Sequence, residues 1–104
     1  MSDKINIVKL VNKIKYIIID SKDNCGTALE KIPQDANVDL INKIIKINEA
    51  IPFGHKFAIV NITKGSNIIK YGEIIGISTE DISEGDWIHT HNIKSSYLKV
   101  KNDG

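Results

Sequence analysis

Apolar residues in this chain come in short clusters separated by polar turns, and most of them are isoleucine. Because β-branched side chains lose little χ1 freedom in extended backbone, this pattern favours strands over helices. Clusters bounded by turn residues predict strands at 15–20, 27–32, 56–62, 73–78, 87–92 and 96–100. Turn signals stand between them at Lys64-Gly65-Ser66, Tyr71-Gly72 and Glu84-Gly85-Asp86.

Two segments fit either a helix or a strand. In residues 39–47 the apolar positions have helical spacing, whereas their β-branched content favours a strand. Residues 5–14 pose the same choice and are predicted as a short strand or a short helix.

An internal repeat runs through the chain. Residues 28–38 align with 58–68 and again with 78–88, each copy being a strand, an isoleucine, a polar turn and a β-branched residue. The turn residue is Gly65 or Gly85 in two copies and Asp35 in the first, and both residue types tolerate left-handed backbone. The unequal spacing excludes a solenoid and predicts a compact β-barrel or clip with recurring hairpin corners.

Length and charge narrow the class of protein. The chain has 104 residues, the size of one domain. Its 14 basic residues, all lysine, nearly balance 13 acidic ones. Phosphate neutralisation needs a concentrated basic excess, so we expect neither a nucleic-acid binder nor a membrane-surface binder.

The number of cysteines and the first residues of the chain indicate where in the cell the protein is expected. Cys25 is the single cysteine, which fits a reducing environment. We see no signal-peptide pattern at the start, and no apolar run approaches the roughly 20 residues that span a bilayer. The expectation is a soluble cytoplasmic protein with Cys25 as a buried, inert thiol.

Histidines are the main candidates for chemistry. On a strand, His89 and His91 would share one face, where two imidazoles could chelate a metal or bind and protonate an anion. The same spacing also fits two exposed or core histidines without a function. His55 lies in a Pro-Gly loop just before a strand, a place where sheets often present functional residues, although a solvent-facing turn is equally compatible.

A polar hairpin tip is a further candidate. In residues 70–73, Tyr71 could hydrogen-bond a carboxylate, and Glu73 could act as a base or support an imidazole; a solvated lysine–glutamate tip is the alternative.

The chain lacks a phosphate loop, a zinc-protease motif and a nucleophile elbow. A domain this small has little room to enclose a substrate, so we expect it to form one wall of an active site.

Together these segments resemble a known family. Residues 51–58 (IPFGHKFA), 69–76 (IKYGEIIG) and 81–92 (DISEGDWIHTHN) are similar to the SAF domain of the altronate and galactarate dehydratases, and residues 23–32 look like its first strand. In that family the domain is the N-terminus of a larger enzyme or a separate small subunit. Asp35 replaces the usual glycine, and residues 1–15 have no clear counterpart.

The resemblance implies a mainly β, compact β-clip domain at 16–98, with an N-terminal extension at 1–15 and a C-terminal tail at 99–104. It favours a strand at 43–50. It implies a large dehydratase subunit as partner, a sugar acid as substrate, and a divalent metal, iron or manganese, shared with that subunit. The reaction removes water from a 2,3-dihydroxy acid to give a 2-keto-3-deoxy acid.

The same resemblance assigns roles to residues. His55, His89 and His91 are the expected catalytic residues, and His89 and His91 are also candidate metal ligands. The expected substrate contacts are Lys56, Tyr71, Glu73 and Asn92. Two alternatives stay open: the small subunit of a sulfolactate sulfo-lyase, in which sulfite leaves in place of water, and a non-catalytic module that binds a carbohydrate or a protein.

Overall fold

The structure, a computed structural model, describes residues 14–95. This range is folded into short strands without a helix, which confirms the mainly β prediction. The strands are β1 (Tyr16–Ile17), β2 (Cys25–Ala28), β3 (Asn37–Asp39), β4 (Ile44–Lys46), β5 (Lys56–Ala58), β6 (Asn67–Lys70), β7 (Glu73–Ser78), β8 (Trp87–Ile88) and β9 (Ile93–Ser95).

The strands pair into three small antiparallel sheets. One has the order β1-β2-β5-β8, the second is the hairpin β3-β4, and the third has the order β6-β7-β9. In the first sheet, β5 pairs with β8 so that Lys56 lies opposite Ile88 and Phe57 opposite Trp87. Continuing this register places the residue before β5, His55, opposite the residue after β8, His89.

Four corners of the same construction organise the fold. Each has a buried isoleucine followed three residues later by a residue with positive φ: Ile32 with Asp35 (70°), Ile51 with Gly54 (82°), Ile62 with Gly65 (87°) and Ile82 with Gly85 (91°). The left-handed backbone expected at Asp35 is therefore confirmed. The internal repeat in the sequence identified three of these corners and missed the one that begins at Ile51.

Antiparallel bridges join the corners in pairs and divide the fold into two similar units. Ile32 pairs with Ile51 in the first unit, and Ile62 pairs with Ile82 in the second. Their hydrogen bonds repeat as well, because the Ile51 N–H donates to the Ile32 oxygen over 2.8 Å and the Ile82 N–H to the Ile62 oxygen over 2.8 Å. Repeated apolar and turn positions thus produce repeated backbone structure.

Each unit has its own apolar core. The first contains Ala28, Ile32, Val38, Leu40, Ile45, Ile47, Ile51 and Phe57. The second contains Cys25, Ala58, Ile62, Ile68, Ile82 and Ile88. Strands β2 and β5 each contribute to both cores, with Ala28 and Phe57 in the first and Cys25 and Ala58 in the second, so the two cores form on shared strands.

Polar contacts bind the last corner to the first unit. The Asn48 side-chain amide donates to the backbone oxygen of Glu84 over 3.0 Å and to an Asp86 carboxylate oxygen over 2.8 Å. The Lys43 ammonium reaches the Glu84 carboxylate at 2.6 Å. These bonds fix the corner that leads directly into β8.

Several predicted elements change in extent. The strand predicted at 73–78 is confirmed as β7, whereas those predicted at 15–20, 27–32 and 56–62 are shorter or shifted, as β1, β2 and β5. The ambiguous segment 39–47 joins the hairpin β3-β4 and contains the strand expected from the resemblance. The predictions for residues 5–13, for the strand at 96–100 and for the terminal segments fall wholly or largely outside the described residues.

Cys25 is buried as predicted. Only 2% of the residue is exposed, and its Sγ lies 3.5 Å from the backbone oxygen of Ile69. Burial raises the pKa of this thiol to about 11. A neutral thiol of this kind behaves as a small apolar side chain. Within residues 14–95 there is no helix long and apolar enough to cross a membrane.

Candidate functional site

The three histidines come together around one tryptophan. The β5–β8 pairing brings His55 and His89 across from each other, with ring centroids 4.6 Å apart. The Trp87 indole lies 5.7 Å from the His55 ring, 5.4 Å from the His89 ring and 5.2 Å from the His91 ring. We refer to these four residues as the histidine cluster. Sequence reasoning singled out its histidines and missed its centre, Trp87.

A direct hydrogen bond links the two strands within this cluster. The indole Nε1–H of Trp87 donates to Nδ1 of His55 over 3.1 Å. The rings of Trp87 and His89 are nearly parallel, at 8°. The indole therefore orients one imidazole by a hydrogen bond and supports a second by stacking.

His89 and His91 reach the cluster from a turn, so the strand predicted at 87–92 is wrong beyond Ile88. Buried Asn92 causes the change. Its side-chain oxygen accepts the His89 N–H over 3.0 Å, and its side-chain nitrogen donates to the Trp87 oxygen over 2.9 Å. A side chain that bonds the backbone of its own segment competes with the strand ladder. The expected sharing of one strand face is replaced by shared contact with Trp87.

The local charge favours an anionic ligand. Partial burial of the ring lowers the pKa of His89, and its ionisable neighbours His55, Lys56 and His91 disfavour the protonated ring further. His89 is therefore neutral near pH 7 in the free protein. A bound carboxylate would offset the positive charge of Lys56 and favour the protonated ring. Lys56 stands next to His55 and opposite Ile88, where its charge adds to this effect.

A complete metal site does not form from this part of the chain. Among residues 14–95, no three or more His, Cys, Asp or Glu side chains are arranged to hold a metal ion. Two imidazoles fall short of the three or four protein ligands typical of stable zinc sites, and iron or manganese also needs a fuller donor set. The expectation that His89 and His91 bind a metal stays a prediction that requires ligands from elsewhere.

The other predicted substrate contacts fall into two groups, one near the histidine cluster and one at the hairpin tip between β6 and β7. Lys56 lies beside the cluster, while both polar groups of the Asn92 side chain are occupied by the turn that it stabilises. Tyr71 has positive φ (57°) at the tip between β6 and β7, with the Lys70 ammonium 4.8 Å from its ring centre. Glu73 begins β7 opposite Lys70. The roles of these residues in substrate binding stay predictions.

The hairpin tip is held by a different part of the chain. Asp23 accepts the Gly72 N–H over 2.8 Å and the Asp20 N–H over 3.2 Å. Burial alone would raise the pKa of Asp23, but hydrogen bonds from backbone N–H groups, Gly72 among them, lower it overall. The hydrogen bond from Gly72 connects this tip to Asp23, and the described contacts of the histidine cluster do not include a residue of the tip.

The described surface also has an apolar groove apart from the cluster. It has a volume of about 710 Å³ and lies between β1, the loop after β3 and the segment after β5, where Ile19, Ile41 and Val60 are exposed. None of the predicted site residues lines it. The histidine cluster lies at the surface outside this groove, with His91 exposed and the other three residues partly exposed, which is compatible with one wall of a site.

The short antiparallel strands and paired corners of residues 14–95 form a mainly β domain of the SAF-type β-clip class. Residues 14–96 match the family model described as the altronate/galactarate dehydratase SAF domain. The chain belongs to this family.

Curated relatives agree with that assignment. The chain is 36% identical to the altronate dehydratase of Escherichia coli (strain K12) over 80% of its length, and 36% identical to that of Bacillus subtilis (strain 168) over 83%. It spans 17% of each of those proteins. It is also 44% identical to (2R)-sulfolactate sulfo-lyase subunit alpha of Paracoccus pantotrophus, over 43% of the chain and 67% of that subunit.

Proposed function

We propose that this chain is the SAF component of a sugar-acid dehydratase, either as a small subunit or as an N-terminal domain, and acts only together with a large catalytic subunit or domain. The carrying observation is the histidine cluster, which gathers three imidazoles around one indole at the surface, with Lys56 next to His55 in the same strand region. The length of the altronate dehydratases supports a further catalytic part, in a partner subunit or in the same protein, because most of each relative lies outside the matched region. The cluster would then form one wall of a site that the large subunit completes.

The proposed reaction converts a 2,3-dihydroxy acid into a 2-keto-3-deoxy acid. A base takes the proton from the carbon next to the carboxylate, the β-hydroxyl leaves as water after accepting a proton, and the resulting enol becomes the ketone. This step needs stabilisation of the developing enediolate charge and an acid for the leaving group. A divalent metal, when bound, would supply charge stabilisation, and residues 14–95 do not provide its full ligand set.

The residues of the chain have separate proposed roles in that reaction. The ammonium group of Lys56 would attract the carboxylate. His89, neutral before binding, would take up a proton as the anion arrives and become the donor to the leaving hydroxyl. His91 would lie near the same leaving hydroxyl, and His55 would contact another oxygen of the substrate.

The test uses the chain together with its large subunit, co-purified from the native source and assayed for 2-keto-3-deoxy acids. We expect no turnover by the chain alone. His89→Ala and His91→Ala should lower activity about 10²- to 10⁴-fold, the usual effect of losing a general acid. Because His89 is half-buried and His91 exposed, both variants should stay folded, with stability changes near the ~0.5 kcal/mol typical of surface sites.

Thr90→Val is the matched control, since Thr90 is exposed in the same turn. It should keep nearly full activity. Full turnover by the isolated chain, unfolding of both histidine variants, or unchanged activity in both would contradict the proposal.

A second function has its own support. The matched region is a larger share of the sulfolactate sulfo-lyase alpha subunit than of the altronate dehydratases, as expected for a separate small subunit. Assaying the same complex with sulfolactate and measuring sulfite distinguishes the two reactions. Sulfite release without dehydration of sugar acids would select the sulfo-lyase.

A further inference from the structure

The hydrogen bond between Trp87 and His55 determines where the imidazole carries its proton. An indole Nε1–H can only donate, so Nδ1 of His55, 3.1 Å away, must accept with its lone pair. A neutral imidazole has one protonated nitrogen. That nitrogen must then be Nε2.

Both partners of this bond are held by their backbones. His55 donates its N–H to the Pro52 oxygen over 3.0 Å, and its own oxygen accepts the Ala28 N–H over 2.9 Å. Trp87 lies opposite Phe57 in the β5–β8 pair, and its backbone oxygen accepts a hydrogen bond from Asn92. The indole also stacks on His89. The donor thus approaches Nδ1 in a fixed direction.

We propose that Trp87 is a positioning residue that holds His55 in the Nε2–H tautomer, so that His55 donates a hydrogen bond to a carboxylate or hydroxyl oxygen of the substrate. The substrate role rests on the function proposed above. The tautomer does not, since it is a property of the chain itself. In this form His55 is a donor at the substrate, and the base that removes the carbon-bound proton lies elsewhere.

The first experiment records long-range ¹H–¹⁵N spectra of the histidine rings in the 104-residue chain at a pH where the rings are neutral. We expect His55 Nδ1 to give a pyridine-type signal and Nε2 a pyrrole-type signal. The Trp87 indole proton, the only one in the chain, should exchange slowly with solvent. A His55 ring protonated at Nδ1, or an equal mixture of tautomers, would overturn the proposal.

Trp87→Phe keeps an aromatic ring for stacking but removes the N–H. It should convert the His55 signals to a mixture of tautomers. Tyr16→Phe is the matched control, because it also removes a hydrogen-bonding group from an aromatic ring, the hydroxyl that donates to the Asp39 oxygen, and it lies outside the cluster. It should leave His55 unchanged. A pure Nε2–H tautomer in folded Trp87→Phe would contradict the role of Trp87, and if that variant fails to fold, the wild-type spectrum still decides the tautomer.

The second experiment measures activity in the assembled enzyme. Loss of a hydrogen bond to a charged group should lower kcat/KM about tenfold in Trp87→Phe and at least as much in His55→Ala. If Trp87 acts through His55, adding Trp87→Phe to His55→Ala should cost nothing further. Additive losses would assign Trp87 a merely structural role. If no dehydratase activity is found at all, the proposed function fails while the tautomer result stands.

Discussion

The His89 ring packs against Trp87, and its protonation state depends on the groups around it. Its ring stacks on Trp87, and its lowered pKa keeps it neutral near pH 7. A carboxylate bound beside it would favour the protonated form, so binding and proton uptake should be linked. Because the complex binds the proton more tightly than the free protein, affinity for the anion should rise as pH falls.

This residue-scale prediction can be checked by NMR titration of the histidine rings. In the free chain, His89 should titrate below the usual 6.5. Saturating galactarate should move its pKa upward, whereas galactitol, which has the same carbon skeleton without carboxylates, should not. Equal effects of the two ligands, or titration of free His89 above 6.5, would remove the electrostatic basis of the proposed role.

Residue identity predicted the histidines of the site but not its geometry. His55, His89 and His91 stand out as the chain's three histidines, yet the contact between His55 and His89 depends on the register of β5 against β8. That register joins residues distant in sequence and leaves no local pattern. Trp87 was missed because its contacts with the histidines also depend on this register, and because a single tryptophan in a strand is usually a core residue.

At the scale of elements, the corners depend on residues with positive φ, but they differ in their surroundings. A Cβ at Gly54 would meet no atom within 4 Å, whereas one at Gly85 would collide with the backbone oxygen of Lys46. The difference arises because the corner at Gly85 is packed against β4 of the first unit. Backbone strain and steric overlap can therefore be separated at two equivalent positions.

We predict that Gly54→Ala costs about 1 kcal/mol, the strain of a left-handed alanine. Gly85→Ala should cost more, roughly 2–4 kcal/mol, because the overlap is with backbone and adds to the same strain. Urea denaturation of the two variants measures the difference. Equal losses would show that the last corner is not docked on β4 as described.

Strand prediction succeeded at β7, where the backbone bonds to neighbouring strands, and failed after Ile88, where a side chain takes the backbone hydrogen bonds. β7 has its predicted bounds, 73–78. The segment after Ile88 alternates like a strand, but Asn92 bonds the backbone of His89 and Trp87 and turns it. Composition alone does not reveal which asparagine will make such bonds.

At the scale of the whole molecule, two apolar cores on shared strands supply the stabilisation of the fold. No set of metal ligands within the described residues contributes to it. We therefore predict that the chain folds without metal, and that its thermal melting curves with and without a chelator coincide. A large fall in melting temperature on chelation would mean that a structural metal site exists after all.

The position of Trp87 has an optical consequence. It is the one tryptophan of the chain, and the centre of its indole lies 5.2 to 5.7 Å from the centres of all three imidazoles. Protonated imidazoles quench indole fluorescence by accepting an electron from the excited ring, whereas neutral imidazoles do so far less. The intrinsic emission of this protein therefore reports the charge of its own site, and a fluorimeter can follow the arrival of an anion without any label.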